Sequence, residues 1–402
     1  MSKIVVLSMP AFGHMIPMLG PVAELVRRGN DVVVYNSIEF ESLVRGTGAS
    51  FVAYPPALNA MDFAKRLKDG NLIAAFEMLL RATAPLTDFA LERLPLEKPD
   101  VVVFDSAAFW GYIATKTLKL PSVSDSPIFV FELFRNLTSW RELWGHARNF
   151  IPGAPRLALA LMKLVRFGVS NWPRSIPMVP LRGDRTIVLT SRELHPKTPL
   201  ANDPTWVFPG ASIDARTRPD QFDFSRLDGR PVILISMGTV QFLHDAFFRR
   251  CLDVFADYPA QFLLAAGPGS DTTRFGTIPD NFIVQQTFPQ MPVLERATAF
   301  ITHGGLGSIH ETLWNGVPFV SVPQHFEQLR NTLAATRHGA GIVLDGECYG
   351  RPIEGPAIYD ALQRVLADPS YRANAKSLGD TLRAGGGYTK VADVIESVAI
   401  NH

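Results

Sequence analysis

Cysteine is nearly absent: 402 residues carry only Cys251 and Cys348, far apart and flanked by no metal-ligand spacing. That argues against a disulfide framework and a zinc site, and so little cysteine suits a reducing compartment. No sign of charge dominates either. The 39 basic and 38 acidic side chains nearly cancel, so no overall basic field exists to collect nucleic acid or anionic lipid. Long apolar runs are missing too, and nothing approaches the roughly 18 residues of a membrane span. Met1-Ser2-Lys3 followed by Ile4 to Leu7 is too short for a signal-peptide core and reads as a first strand. The expectation is a cytoplasmic chain with no nucleic-acid partner and no stable membrane insertion. Its oligomeric state is not written in the sequence. What the chain does have is 47% hydrophobic residues, enough for a sizeable core. Its length exceeds a single core of about 250–300 residues, so at least two domains are expected.

Two periods alternate along the chain. Lys3–Met9 is a short, β-branched apolar run, a buried strand by pattern. Met15, Met18, Leu19, Val22 and Val26 then recur at helical spacing, with Pro17 near the start and Gly29 after the end. The rhythm returns at Asp31–Asn36, Asp100–Asp105 and Thr186–Thr190. Between 206 and 229 it breaks on Pro209, Gly210 and Pro219, a candidate linker. A second series runs from Val232 through Phe319–Val322 to a helix at Glu327–His338. Alternating strands and helices predict parallel sheets covered by helices. The expected division is residues 1–205, a linker at 206–229, and 230–402.

Ligands of open α/β sheets sit beyond the carboxyl ends of the strands. Gly13-His14 stands after the first strand, Asp105 after Val101–Phe104, and Ser236-Met237-Gly238-Thr239 after Val232–Ile235. The richest end is His303-Gly304-Gly305-Leu306-Gly307-Ser308. Its glycines let backbone N–H groups approach a ligand, and the helix that follows directs its positive end there, so a diphosphate is the natural guest. Glu311, three residues after Ser308, can accept hydrogen bonds from ribose hydroxyls. His310 falls on the buried stripe and reads as a core histidine. Neither a P-loop nor Gly-x-Gly-x-x-Gly is present, which counts against NTP hydrolysis and dinucleotide redox chemistry. Aromatic residues crowd the span from Phe104 to Phe150. Most read as packing, while Phe12, Phe109, Phe129 and Phe131 are candidates to line an apolar acceptor site. Asp125 follows another strand and is a candidate to line the cleft, but Pro121 and Pro127 point to a plain turn, and it is left out of the site. The segment Arg156–Phe167 reads as helix packing, with an amphipathic surface helix as the alternative.

Val284-Gln-Gln-Thr-Phe-Pro-Gln290, Ala299-Phe-Ile-Thr-His-Gly-Gly-Leu-Gly-Ser-Ile-His-Glu311, Gly316-Val-Pro318 and Pro323-Gln-His-Phe-Glu-Gln328 together resemble the donor signature of family 1 nucleotide-sugar glycosyltransferases. The likeness is closest to the bacterial macrolide and natural-product subgroup. It extends from Pro10-Ala-Phe-Gly-His14 over nearly the whole chain. The resemblance implies the GT-B type fold, two facing Rossmann-like doubly wound domains with an inter-domain cleft. It also implies a last helix, about 388–399, crossing back to the first domain. It would place Gln290 on the uracil or ribose. Thr239, His303, Gly305, Gly307 and Ser308 would hold the diphosphate, and Glu311 the ribose. Glu327 and Gln328 would take the sugar hydroxyls, and His14 would be the general base with Asp105 its partner. Many members carry a tryptophan where this chain has Thr287, so either Phe288 supplies the ring or backbone contacts hold the base.

The chemistry also stands on residue types. A sugar diphosphate already has a leaving group, so the protein must activate a nucleophile and stabilise the departing charge. An imidazole, ordinarily titrating at about 6.5, can take a hydroxyl proton at neutral pH, and a carboxylate behind it fixes its tautomer. With donors and a helix N-terminus at the diphosphate, no cofactor and no metal are expected. The expected reaction is inverting transfer of a hexose, glucose foremost, from a UDP-sugar to a hydroxyl on a hydrophobic acceptor: a macrolide, polyketide, flavonoid or other phenol. A TDP-deoxysugar donor, a nucleotide-sugar epimerase and a silent nucleotide-sugar-binding relative stand as alternatives.

Overall fold

Ile4 to Leu7 are at most 1% exposed, a strand buried on both faces. In the computed structural model, which describes residues 1–58, 72–130, 154–156, 158–168, 181–214, 222–238 and 245–400, that strand lies near the middle of a parallel sheet. Two compact units form, 1–217 with 385–402, and 218–384.

The first unit carries β1 (Lys3–Leu7), β2 (Asp31–Asn36), β3 (Ser50–Ala53), β4 (Val101–Asp105), β5 (Ser122–Ser126), β6 (Arg185–Val188) and β7 (Trp206–Val207). They pair in the order β3-β2-β1-β4-β5-β6-β7. Its helices are α1 (Phe12–Arg27), α2 (Glu41–Arg45), α3 (Leu72–Glu97) and α4 (Phe109–Leu118), with the chain's last, Gly387–Ile400. Strand alternation divides the core in two. Ile4, Val6, Val101, Val103 and Val123 face Met18 and Val22 of α1 and Val391 and Ile395 of the last helix. Val5, Leu7, Val102 and Phe104 face Leu86 and Leu94 of α3 and Trp110 of α4. Arg28, at the end of α1, donates to Asp393 at 2.8 Å and Glu396 at 2.7 Å, tying the last helix to the first. Glu24, buried beneath, is held down to about 2 by its hydrogen bonds from Arg27 and Arg28.

Trp206–Val207, expected as the start of the linker, are instead the edge strand β7, paired with β6. Trp206 is buried on Val130 and Val188. Two residues are too few to display a period. Residues 215–221 of the expected linker lie outside the described residues.

In the second unit β8 (Val232–Ser236), β9 (Gln261–Ala265), β10 (Phe282–Gln285), β11 (Ala297–Thr302), β12 (Phe319–Ser321) and β13 (Gly341–Val343) pair in the order β10-β9-β8-β11-β12-β13, all parallel. Its helices are α5 (Asp245–Val254), α6 (Gln290–Leu294), α7 (Leu306–Trp314), α8 (Phe326–Thr336), α9 (Gly355–Ala367) and α10 (Ser370–Ala384), which makes Gly387–Ile400 α11. Ile233, Ile235, Phe262 and Leu264 pack on Phe248, Phe255, Ile358 and Leu362. Each unit is thus a doubly wound α/β layer. Its strand order reverses beside the first strand of each sheet, where such folds hold ligands.

Candidate functional site

β1 and β4 are neighbours, so the residues that follow one strand meet those that end the other. His14 is the third residue of α1 and Asp105 the last of β4. Their side chains join, with His14 Nδ1 2.7 Å from Asp105 Oδ2. Asp105 is buried, and its Oδ1 accepts the backbone N–H of Ala107 at 2.7 Å. A carboxylate oxygen accepts hydrogen bonds, so this contact favours the His14 tautomer with its proton on Nδ1.

Asp125 is the residue that sequence reasoning set aside. It is not in a turn: it lies in β5, in register with Asp105 on the adjacent β4. Ser122–Ser126 is a polar strand, and polar runs between prolines resemble loops. Asp125 is 1% exposed, and neither of its carboxyl oxygens has a hydrogen-bond partner. Burial first, and the charge of Asp105 second, push its carboxyl well above the usual carboxylate range. Between the ordinary carboxylate value and the raised one, the folded chain keeps a proton that the unfolded chain has released. Stability falls as pH rises from the unfolded carboxylate value, about 3.9, toward the raised folded value. Asp125→Asn cannot ionise and lacks this slope. The variant should therefore gain on the parent as pH rises through that range. Thermal unfolding from about pH 5 to about pH 8 should show the gap widening with pH. A gap of constant size contradicts a protonated Asp125.

In the second unit the glycine-rich turn joins β11 to α7. Gly305 caps α7 and has no side chain to occupy the first-turn amides, which leaves them for an anion. The His303 ring is wedged between two glycines. A Cβ on Gly305 would lie 2.6 Å from Nε2, and one on Gly238 would lie 2.8 Å from Cε1. Ser308 and Glu311 share a face of α7, and Gln290 opens α6 beside them. Gln290 Nε2 donates to Glu311 Oε2 at 2.7 Å and lies 3.4 Å from Ser308 Oγ. These three form a cluster at the N-terminal side of α7, and Gly307 is exposed at the same turn. His310 points inward, and burial pushes it down to about 3, so it is a neutral core residue. Thr239 lies outside the described residues.

Glu327 and Gln328 open α8. Gln328 is mostly buried and accepts the N–H of Gln324 through Oε1 at 2.8 Å, which orients its amide. Glu327 is exposed, accepts from Asn331 at 2.5 Å and stands 4.0 Å from His325. Burial lowers the pKa of His325 and the Glu327 charge opposes that.

The aromatic expectations need correction. Phe288 is buried against Phe222, with ring centroids 5.1 Å apart, and so has no face to offer a base, while Thr287 is exposed. Phe109 is fully buried and meets Phe76 edge-on, a core residue rather than a lining one. Phe129 is buried against the ring of His195. His195 accepts the Val130 N–H at 3.0 Å and sits 2.7 Å from the Pro196 carbonyl, and burial pushes it down to about 4. Phe12 alone of the described candidates is exposed, two residues before His14 and packed on Phe40. Ile38, missed by sequence reasoning, is exposed beside Phe40 in sequence. Phe131 lies outside the described residues.

Comparison with known proteins gives consistent relatives. Residues 249–398 match the family described as erythromycin biosynthesis protein CIII-like, C-terminal domain. The chain is 29% identical to the uncharacterized UDP-glucosyltransferase YojK of Bacillus subtilis, over 99% of this chain and 98% of the relative. It is 26% identical to the demethyllactenocin mycarosyltransferase of Streptomyces fradiae, over 99% of this chain and 87% of the relative. Among solved structures, the glycosyltransferase of kitacinnamycin superposes with a TM-score of 0.82 at 28% identity, covering 99% of both chains.

Proposed function

We propose that the chain, whose relatives and fold are those of family 1 natural-product glycosyltransferases of the GT-B type, carries out an inverting, metal-independent transfer of a hexose from a UDP-sugar to an acceptor hydroxyl. The observation that carries this reading is the 2.7 Å contact between His14 Nδ1 and Asp105 Oδ2. Nε2 of His14 takes the hydroxyl proton as the oxygen attacks the anomeric carbon, and the bond from that carbon to the diphosphate oxygen breaks. Asp105, held by His14 and the Ala107 amide, stabilises the imidazolium as it forms. His303, Ser308 and the first-turn amides of α7 receive the charge that develops on the leaving diphosphate. These donors are the reason no divalent ion is required. Glu311 and Gln290 take the ribose hydroxyls, and Gln328 with Glu327 takes the sugar. One displacement inverts the anomeric centre, so an α-linked donor gives a β-glycoside.

Glucose fits two oxygen-seeking side chains at the start of α8 better than a deoxysugar does. One relative is by name a glucosyltransferase and another a mycarosyltransferase, so the donor needs its own test. Chromatography of products from UDP-glucose and from a TDP-deoxysugar, with a panel of phenols and macrolides, should show glycoside from UDP-glucose. Exclusive use of the TDP-deoxysugar would overturn the glucose assignment and leave the reaction class standing. Phe12, exposed next to the base, is the side chain assigned to the apolar body of the acceptor.

A further inference from the structure

Among the described residues, exposed large apolar side chains are few, and four of them fall within seven positions. Leu159 is 59% exposed, Leu161 38%, Met162 67% and Val165 57%. They belong to helical residues 158–162 and the 3₁₀ turn Val165–Phe167. The inner side of this segment is satisfied: Ala160 and Leu164 are buried on Leu80 and Ala84 of α3. The outer side is what remains, and it stands exposed among the described residues. Several exposed apolar side chains close together on a segment already packed on its other face mark an interaction surface.

Charge identifies the partner. The sequence carries no Asp or Glu between Glu142 and Asp184, in a chain with 38 acidic residues. Over the same stretch stand Arg148, Arg156, Lys163, Arg166, Arg174 and Arg182. Arg156 and Arg166 are paired with Glu77 and Asp88 of α3, yet their side chains stay 62% and 56% exposed, and Lys163 stands exposed between them. The near-neutral total hides this local asymmetry. A second copy of the chain would bring like charges together, which disfavours a symmetric dimer through the patch. Apolar side chains interleaved with basic ones suit an anionic lipid surface: the first enter the acyl boundary, the second reach the headgroups.

We propose that residues 154–156 and 158–168 form a peripheral docking surface for anionic bilayers, through Leu159, Leu161, Met162 and Val165 flanked by Arg156, Lys163 and Arg166. The chain lies on the membrane and does not cross it: among the described residues no helix is long and apolar enough to do so. A hydrophobic acceptor partitions into the same boundary, so docking would raise its local concentration. The docking itself does not depend on which sugar is transferred.

The test is co-sedimentation of the full chain with vesicles of phosphatidylglycerol and phosphatidylcholine, and with phosphatidylcholine alone. The expected result is binding to the anionic vesicles that weakens as salt rises, and little binding to the neutral ones. The double variant Leu159→Glu, Met162→Glu should lose at least about tenfold in vesicle affinity. Its unfolding temperature and its affinity for UDP should match the parent, which separates lost docking from lost folding. Failure of the parent to bind anionic vesicles, or equal binding by the variant, overturns the proposal. So does a dimer in gel filtration that the variant converts to monomer without any vesicle binding, since the patch would then serve a second copy.

Discussion

Replacing His14 with alanine should lower kcat by about 10²–10⁴, the usual contribution of a positioned general base, while UDP affinity by calorimetry stays at the parent value. The separation follows from where the groups sit. His14 belongs to α1 of the first unit, whereas Gln290, His303, Ser308 and Glu311 are all in the second. Asp105→Asn should also be severe, by at least about tenfold in kcat. An amide that turns its NH₂ toward Nδ1 selects the wrong tautomer and leaves Nε2 protonated. It also loses the charge that stabilises imidazolium. Normal turnover by His14→Ala would remove the base assignment. A parallel loss of UDP affinity would mean that the substitution had disturbed more than the base.

The second large effect is expected at Gly304, in the turn before α7. Its φ is +84°, a region that costs an L-residue about 1–2 kcal/mol. A Cβ there would collide with Thr332 Oγ1 and lie 2.7 Å from Ser321 Oγ. Those two hydroxyls are buried and hydrogen-bonded to each other at 2.8 Å, so neither can withdraw cheaply. Strain and overpacking together put Gly304→Ala at about 2–5 kcal/mol of lost stability. The turn must shift to relieve the collision, carrying His303 and the α7 amides with it, and UDP affinity should fall at least about tenfold. Denaturant unfolding and UDP calorimetry check the two effects separately. A stable variant with full UDP affinity would show that the turn's backbone does not hold the diphosphate.

The parts of this molecule that were legible in sequence share one property: their signal is local. The apolar runs of β1, β4, β8 and β11 announce buried parallel strands, and the glycines after β11 announce a turn that must approach a ligand. What could not be read depends on distant partners. Ser50–Ala53 and Gly341–Val343 are short edge strands of their sheets, defined by pairing rather than by pattern. Ser122–Ser126 is polar because Ser122 and Ser124 bond Asp184 and Leu181, residues some 60 positions away. Phe109 and Phe288 have the right chemistry for a ligand face and point inward, which spacing cannot reveal. The Gln290–Glu311 hydrogen bond joins residues 21 apart through α6, β11 and α7. Asp125 was visible only as a carboxyl near a strand end. Its register with Asp105 and its lack of partners belong to the folded state.

The most direct test of the account is UDP release from UDP-glucose in the presence of EDTA, with and without a mixed pool of phenolic and macrolide acceptors. Release should depend on acceptor and be indifferent to EDTA. Release without any acceptor, release abolished by EDTA, or no release with any member of the pool would contradict it.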